Sequence, residues 1–237
     1  MEYNFDKFLN EVNKIGINLS DTQLEQFRLY YEMLVEKNKV MNLTGITEWN
    51  EVLEKHFLDS ISLIRAIDLN QELSVMDMGT GAGFPGVPLK IAFPKLKVTL
   101  ADSLNKRVMF LQEVIDALGL EGIEAIHGRA EDLARDKSYR EQYDLSVSRA
   151  VANLSTLTEY CLPFVKIGGQ FISYKSGEIE EEVTASKSAV FLLGGKIKDI
   201  VKFELGDSGR SFIIIEKMKG TPKTYPRKAG TPSKKPL

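Results

Sequence analysis

Leu73-Ser74-Val75-Met76-Asp77-Met78-Gly79-Thr80-Gly81-Ala82-Gly83-Phe84-Pro85-Gly86 reads as a buried strand running straight into a glycine-rich turn. Each glycine there removes a Cβ, so the backbone can turn sharply, adopt positive φ and bring its N–H groups against a ligand that a side chain would block. A nucleotide-like molecule suits such a turn. Asp77, near the end of the strand, is expected to present a fixed negative charge to it.

Gly81-x-Gly83-x-x-Gly86 matches the dinucleotide fingerprint literally, in which a helix N-terminus faces a pyrophosphate. The wider pattern, Asp77-x-Gly79-x-Gly81-x-Gly83, sets an acid two residues before the first glycine, where it fits a ligand with positive charge and hydrogen-bond donors. S-adenosylmethionine has both, in its sulfonium and amino groups. Pro85 and Pro88 lack backbone N–H groups and so weaken the following helix start as an anion site. The balance favours S-adenosylmethionine.

Outward from the turn, the chain alternates short apolar strands with helices, the signature of a doubly wound, mostly parallel α/β sheet of Rossmann-like type. Leu96 to Ala101 is the second strand and Ile123 to His127 the third. Tyr143 to Ala150 forms the fourth strand and its exit, and Gln170 to Tyr174 the fifth. Lys196 to Phe203 and Ser211 to Lys217 close the sheet as an antiparallel pair. The helices between them are read at Val87 to before Pro94, Lys106 to Leu118, Leu154 to Val165 and Glu178 to Val190.

Asp102 follows the second strand, where an acid accepts hydrogen bonds from both ribose hydroxyls of an adenosine. Gly128-Arg129-Ala130-Glu131-Asp132 follows the third, near the expected position of the base. There a backbone N–H meets a ring nitrogen, and Glu131 or Asp132 takes the exocyclic amine. Arg149 leaves the fourth strand beside the reacting group, and Lys175 leaves the fifth. No Asn-Pro-Pro-Tyr or Asp-Pro-Pro-Tyr stretch occurs, which argues against methylation of an exocyclic base amine.

Before the sheet, apolar residues at helical spacing give a helix over Phe5 to Ile15. A second opens on the capping box Ser20-x-x-Gln23, and a third, N-capped by Thr47, runs through Trp49, Phe57 and Ile64. On the third, His56 and Asp59 are spaced for a local polar contact. The organisation expected is a helical region over 1–70, a cofactor-binding domain over 71–220 and a basic tail over 221–237. The tail has no acid after Glu216 and reads as a solvated end. Near the site it would grip phosphates, and its loss would leave cofactor binding intact.

Composition narrows the classes further. The 237 residues are 43% hydrophobic, enough for a substantial core. Cys161 is the only cysteine and His56 and His127 the only histidines, so neither a disulfide framework nor a zinc site of cysteines or histidines is expected. No leader or membrane-spanning run is read, which gives a cytoplasmic expectation. A net charge of −2 leaves any case for nucleic acid to local patches, and nothing marks an obligate dimer.

Taken together, Asn42-Leu43-Thr44, His56-Phe57-Leu58-Asp59-Ser60, Asp77 through Gly86, Gly128-Arg129-Ala130-Glu131, Ser148-Arg149-Ala150-Val151 and Tyr225 through Pro232 make the chain resemble the small-subunit ribosomal RNA guanine-N7 methyltransferases, originally called glucose-inhibited division protein B. The resemblance covers almost the whole length. It implies S-adenosylmethionine-dependent methylation at N7 of one guanine in 16S rRNA, near the decoding region, on the RNA or the small ribosomal subunit. It also implies a cofactor pocket that includes Gly79, Phe84, Ala130, Glu131 and Arg149, to which the reading of the turn adds Gly81 and that of the second strand's end adds Asp102. No residue is singled out as catalytic, because guanine N7 carries a free lone pair. The competing readings are a methyltransferase for another RNA, a protein or a small molecule, an NAD-dependent oxidoreductase, and an RNA-binding module without activity.

Overall fold

A computed structural model describes residues 3–149 and 152–237. Ala150 and Val151, which close the Ser148–Val151 motif, lie outside the described residues, as do Met1 and Glu2. Helices α1 (Asp6–Lys14) and α2 (Asp21–Met41) come first, and α2 opens on the expected capping box, with Ser20 and Gln23 exchanging side-chain and backbone bonds. The third helix runs without a break from Trp49 to Arg65 but changes its winding along the way. Glu48, not Thr47, caps α3 (Trp49–Val52), and a π-helical turn (Leu53–Leu58) leads into α4 (Asp59–Ile61) and a 3-10 turn (Ser62–Arg65). π-Turns of this kind concentrate at functional sites.

The sheet then runs β1 (Ser74–Met78), α5 (Gly86–Ala92), β2 (Lys97–Asp102), α6 (Asn105–Ala117), β3 (Ile123–His127), α7 (Ala130–Leu133) and β4 (Tyr143–Ser148). It continues through α8 (Leu154–Cys161), β5 (Val165–Ser176), α9 (Glu180–Leu192), β6 (Gly195–Leu205) and β7 (Ser208–Lys217), and a single turn, α10 (Thr231–Lys234), follows. The strand order is β3-β2-β1-β4-β5-β7-β6. β7 inserts between β5 and β6 antiparallel to both, and every other neighbouring pair is parallel. This is the doubly wound sheet the strand and helix alternation predicts. Its order reverses between β1 and β4, the switch point where open α/β sheets take ligands.

Both faces of the sheet are covered, so alternate residues of one strand enter different cores. Val75, Val98, Leu145, Ile172 and Ile214 face α5, α6 and the N-terminal helices, whose Phe8, Phe27, Leu34 and Phe57 belong to the same cluster. Met76, Phe171, Ile213 and Ile215 face α8 and α9. Tyr30 of α2 reaches the glycine turn itself and donates from its hydroxyl to the Ala82 carbonyl at 2.6 Å.

The chain after β7 is not a solvated end. Thr221, Pro226 and Pro232 are buried, and the Arg140 guanidinium donates to the carbonyls of Thr221 and Tyr225 at 2.8 and 3.0 Å. The lysines are its exposed part: Lys219, Lys223, Lys228, Lys234 and Lys235 face solvent. Composition reported those side chains correctly, but the segment's prolines and backbone carbonyls find partners that its charge does not announce.

Candidate active site

Two cavities open beyond the carboxyl ends of the parallel strands. The first, about 390 Å3, lies among the ends of β1, β2 and β4, the start of α7 and one side of α8. That volume lies within the range of small-molecule sites, about 300–1,000 Å3. Gly79 lines it at φ 73°, and Gly81 follows at φ 63°, both in the left-handed region that glycine occupies without strain. Asp102, 3% exposed, lines it from the end of β2. Its Oδ2 accepts the Gly81 N–H at 3.0 Å and its Oδ1 the Leu104 N–H at 2.9 Å, so one carboxylate ties the glycine turn to the start of α6. Arg107 Nη1 also approaches Oδ2, at 3.4 Å, so it is Oδ1 that keeps a second lone pair for a further donor.

On the other side, Ala130 and Glu131 open α7 and line the same cavity. The first N–H groups of a helix have no partner within it, so that of Ala130 is available to a ligand acceptor. Of the two acids in this loop, Glu131 is buried in the cavity wall and Asp132 faces solvent. Glu131 Oε1 accepts the Gly230 N–H at 2.8 Å. Leu157, Tyr160 and Cys161 of α8 add an apolar side, where burial pushes the Cys161 thiol pKa well up and keeps it protonated.

The donor set fits an adenosine-bearing cation. Two buried carboxylates stand on opposite sides of a partly apolar cavity, and the turn beside it is held by residues without a Cβ.

Asp77 does not act as the strand's position suggested. Strand alternation directs Val75 and Asp77 toward α5, while Met78 lines the first cavity. Asp77 is fully buried, and its Oδ2 accepts the Thr80 hydroxyl at 2.7 Å and the Gly86 N–H at 2.8 Å. Its Oδ1 has no partner. Burial raises its pKa to about 7 against the pull of the Thr80 and Gly86 bonds. Asp77 therefore braces the turn from beneath and is not a fixed charge facing the ligand.

The second cavity, about 590 Å3, lies between the π-turn, the exit of β4 and the ends of β5 and β7, and shares Ala152 with the first. Arg149 lines this one. Its guanidinium donates to Asp59 Oδ2 at 2.9 Å and the Lys55 carbonyl at 3.1 Å, and stands 3.2 Å from His56 Nδ1. It also lies over the Phe84 ring, 4.8 Å from its centroid, in cation–π geometry. Phe84 stacks in turn on His56 at 4.5 Å. Phe84 and Arg149 thus stand together on the second cavity's side of the turn, while Gly79, Asp102, Ala130 and Glu131 surround the first.

His56 and Asp59 do not bond each other as their spacing suggested, because the π-turn directs both at Arg149. Burial, then the Arg149 charge, lowers the His56 pKa to about 4, so the ring is neutral at pH 7. Asp59 also accepts Arg210 Nε at 3.1 Å. Lys175 donates to the Ala152 carbonyl at 2.7 Å and Glu182 Oε1 at 2.6 Å. The cavity collects the cations Lys55, Arg149, Lys175 and Arg210 against the acids Asp59 and Glu182, so its charge is positive.

The family model described as GidB, rRNA small subunit methyltransferase G, matches residues 23–211. The chain belongs to the rRNA small subunit methyltransferase G family. A Lachnoclostridium phytofermentans protein named ribosomal RNA small subunit methyltransferase G is 53% identical over 232 residues, 97% of this chain and 96% of the relative. Its Bacillus subtilis namesake is 50% identical over 236 residues, 99% of each. The crystal structure of a SAM-dependent methyltransferase from Aquifex aeolicus superposes with a TM-score of 0.54 at 19% identity, covering 76% of this chain and 97% of that one, a likeness of fold. No helix among the described residues is long and apolar enough to cross a membrane. No group of three or more His, Cys, Asp or Glu among them is placed to hold a metal ion.

Sequence reasoning missed several parts of this methyltransferase site. Asp59 as the anchor of two arginines left no local signal, since Arg149 and Arg210 lie 90 and 151 residues away. Glu159 left one. It is the only charged residue in α8, is fully buried, and such a group needs a cationic partner. Arg227, the one arginine of the tail, supplies it.

Proposed function

We propose that this methyltransferase modifies N7 of one guanine of 16S rRNA near the decoding region, as a monomer in the cytoplasm. In this reading the first cavity holds S-adenosylmethionine and the second receives the base. The observation that carries the reading is the meeting of the two cavities at Ala152, one walled by buried carboxylates and the other cationic. Bound S-adenosylmethionine supplies an electrophilic methyl carbon on its sulfonium.

The chain's own residues hold and orient. Asp102 accepts from the ribose hydroxyls, the Ala130 N–H and Glu131 carboxylate meet the adenine edge, and Gly79 and Gly81 let the backbone close on the ligand. Phe84 and Arg149 bound the cofactor at the side nearer the acceptor. Guanine N7 carries an in-plane lone pair, so no proton has to be removed and the neutral His56 need not act as a base. Arg149, assisted by Lys175, donates to guanine O6, an edge that arginine pairs with well, which fixes the ring and leaves N7 free to react. Rate enhancement then comes from positioning and from the fixed charges of the cavity.

Mapping N7-methylguanosine in 16S rRNA from cells with and without the gene tests the reading. Loss of a single site in the deletion, restored by the intact gene, supports it. An unchanged map in the deletion refutes it.

A further inference from the structure

The basic chain beyond β7 has no part in methyl transfer as described so far, yet it is more firmly held than its composition suggests. Glu159 is fully buried in α8, and its carboxylate accepts the Arg227 main-chain N–H at 2.7 Å, Nε at 3.0 and 3.1 Å, and Nη2 at 2.7 Å. One residue of the tail is thus gripped by backbone and side chain together. Five residues on, the Pro232 carbonyl accepts the Thr156 hydroxyl of the same helix at 3.0 Å, and Pro232 is buried.

Gly230 lies between these two anchors. Its φ of 79° is one that residues with a Cβ rarely adopt, and from there its N–H reaches Glu131 Oε1 at 2.8 Å. Gly230 also lines the first cavity. α7, which carries Glu131, is only four residues long and offers little rigidity of its own. The bond from Gly230 occupies one oxygen of Glu131 and fixes the carboxylate plane, while the other oxygen takes no hydrogen bond from the described residues.

We propose that the terminal segment is a wall of the cofactor cavity, in which Gly230 positions the Glu131 carboxylate and the Arg227–Glu159 pair latches the segment to α8. This rests on the assignment of the adenosine to the first cavity. It reverses the sequence expectation that losing the tail leaves cofactor binding intact. Arg227 and Gly230 act through Glu131 as positioning residues. The exposed lysines of the segment stay free for RNA phosphates.

The test is calorimetric titration of S-adenosylhomocysteine into the full chain, its Arg227→Ala and Arg227→Lys variants and a Lys234→Ala control. Arg227→Ala should weaken binding about tenfold or more, because the cavity must then be ordered at the ligand's expense. Arg227→Lys should fall between, and Lys234→Ala should match the parent. Because Arg227→Ala strands a buried carboxylate and can fail to fold, hydrogen exchange on the unmodified chain provides a second measurement. Saturating S-adenosylhomocysteine should slow exchange across 226–232 as well as across 79–84. Unchanged affinity in a folded Arg227→Ala, or protection confined to 79–84, overturns the proposal. Failure of the unmodified chain to bind overturns the cofactor assignment itself, and this inference with it.

Discussion

Asp77 gives the sharpest quantitative test, because its environment ties stability to pH in a calculable way. Burial lifts the native carboxyl to about 7 from its ordinary 3.8. Between those values the native state keeps a proton that the unfolded chain has lost. The stabilisation is therefore complete below the unfolded pKa and is lost as pH rises through the native one. The whole difference corresponds to about 4 kcal/mol, of which about 3 kcal/mol falls between pH 5 and pH 8.

His56 works in the opposite sense. Its native pKa of about 4 lies below the ordinary 6.5, so between them the native ring is neutral while the unfolded one is charged, and stability rises with pH across that interval. The two groups mask each other in the parent, and a difference measurement separates them. Asp77→Asn is an uncharged mimic of the protonated acid. Its carbonyl can keep the Thr80 and Gly86 bonds while its amide takes the place of the unpartnered Oδ1. Urea unfolding of both proteins at pH 5, 6, 7 and 8 should show the variant gaining about 3 kcal/mol on the parent, a midpoint change on the order of 1 M. Parallel stability curves across this range would refute the account of an Asp77 carboxyl that holds its proton up to about pH 7 beneath the turn.

Gly83→Ala is expected to cost about 2–4 kcal/mol in urea unfolding, since a Cβ there meets Tyr30 Oη at 2.7 Å, Val87 Cγ2 at 2.8 Å and Leu111 Cδ2 at 2.9 Å on a backbone at φ 109°. An unchanged midpoint contradicts that packing. Arg149→Lys keeps the charge but loses the planar fork shared among Asp59, Lys55 and His56. It should lower single-turnover methyl transfer roughly 100-fold, with a melting temperature within a few degrees of the parent because Arg210 still neutralises Asp59. Parental transfer in this variant removes Arg149 from the positioning of the base.

What the sequence showed and what it hid follow from the range of the interactions. The glycine turn, the capping box at Ser20 and the strand from Ile123 to His127 are local patterns, and they stand where they were read. The long helix read after Thr47 is present from Trp49 to Arg65, capped by Glu48 instead, but apolar periodicity carries no sign that its hydrogen-bond register widens to a π-turn over Leu53–Leu58. The helix read from Leu154 to Val165 gives way at Leu162 to a 3-10 turn carrying Pro163, and β5 begins at Val165, ahead of its predicted start. Asp102 and Glu131 could be placed because each follows a strand that the pattern locates. The couplings of Asp59 with Arg210, and of Glu159 with Arg227, join residues far apart in the chain, and no windowed reading of composition recovers such pairs.

The Tyr30 hydroxyl, bonded to Ala82 and occupying the space a Cβ on Gly83 would need, bears on how the enzyme can be divided. A fragment beginning at Ser74 retains all seven strands, yet it exposes the outer side of the glycine turn to water and uncovers the core shared with Phe27 and Phe57. The minimal catalytic unit is therefore larger than the sheet and its crossovers, and a transplant of the N-terminal helices from a relative must bring a phenol of matching reach or redesign the turn with it.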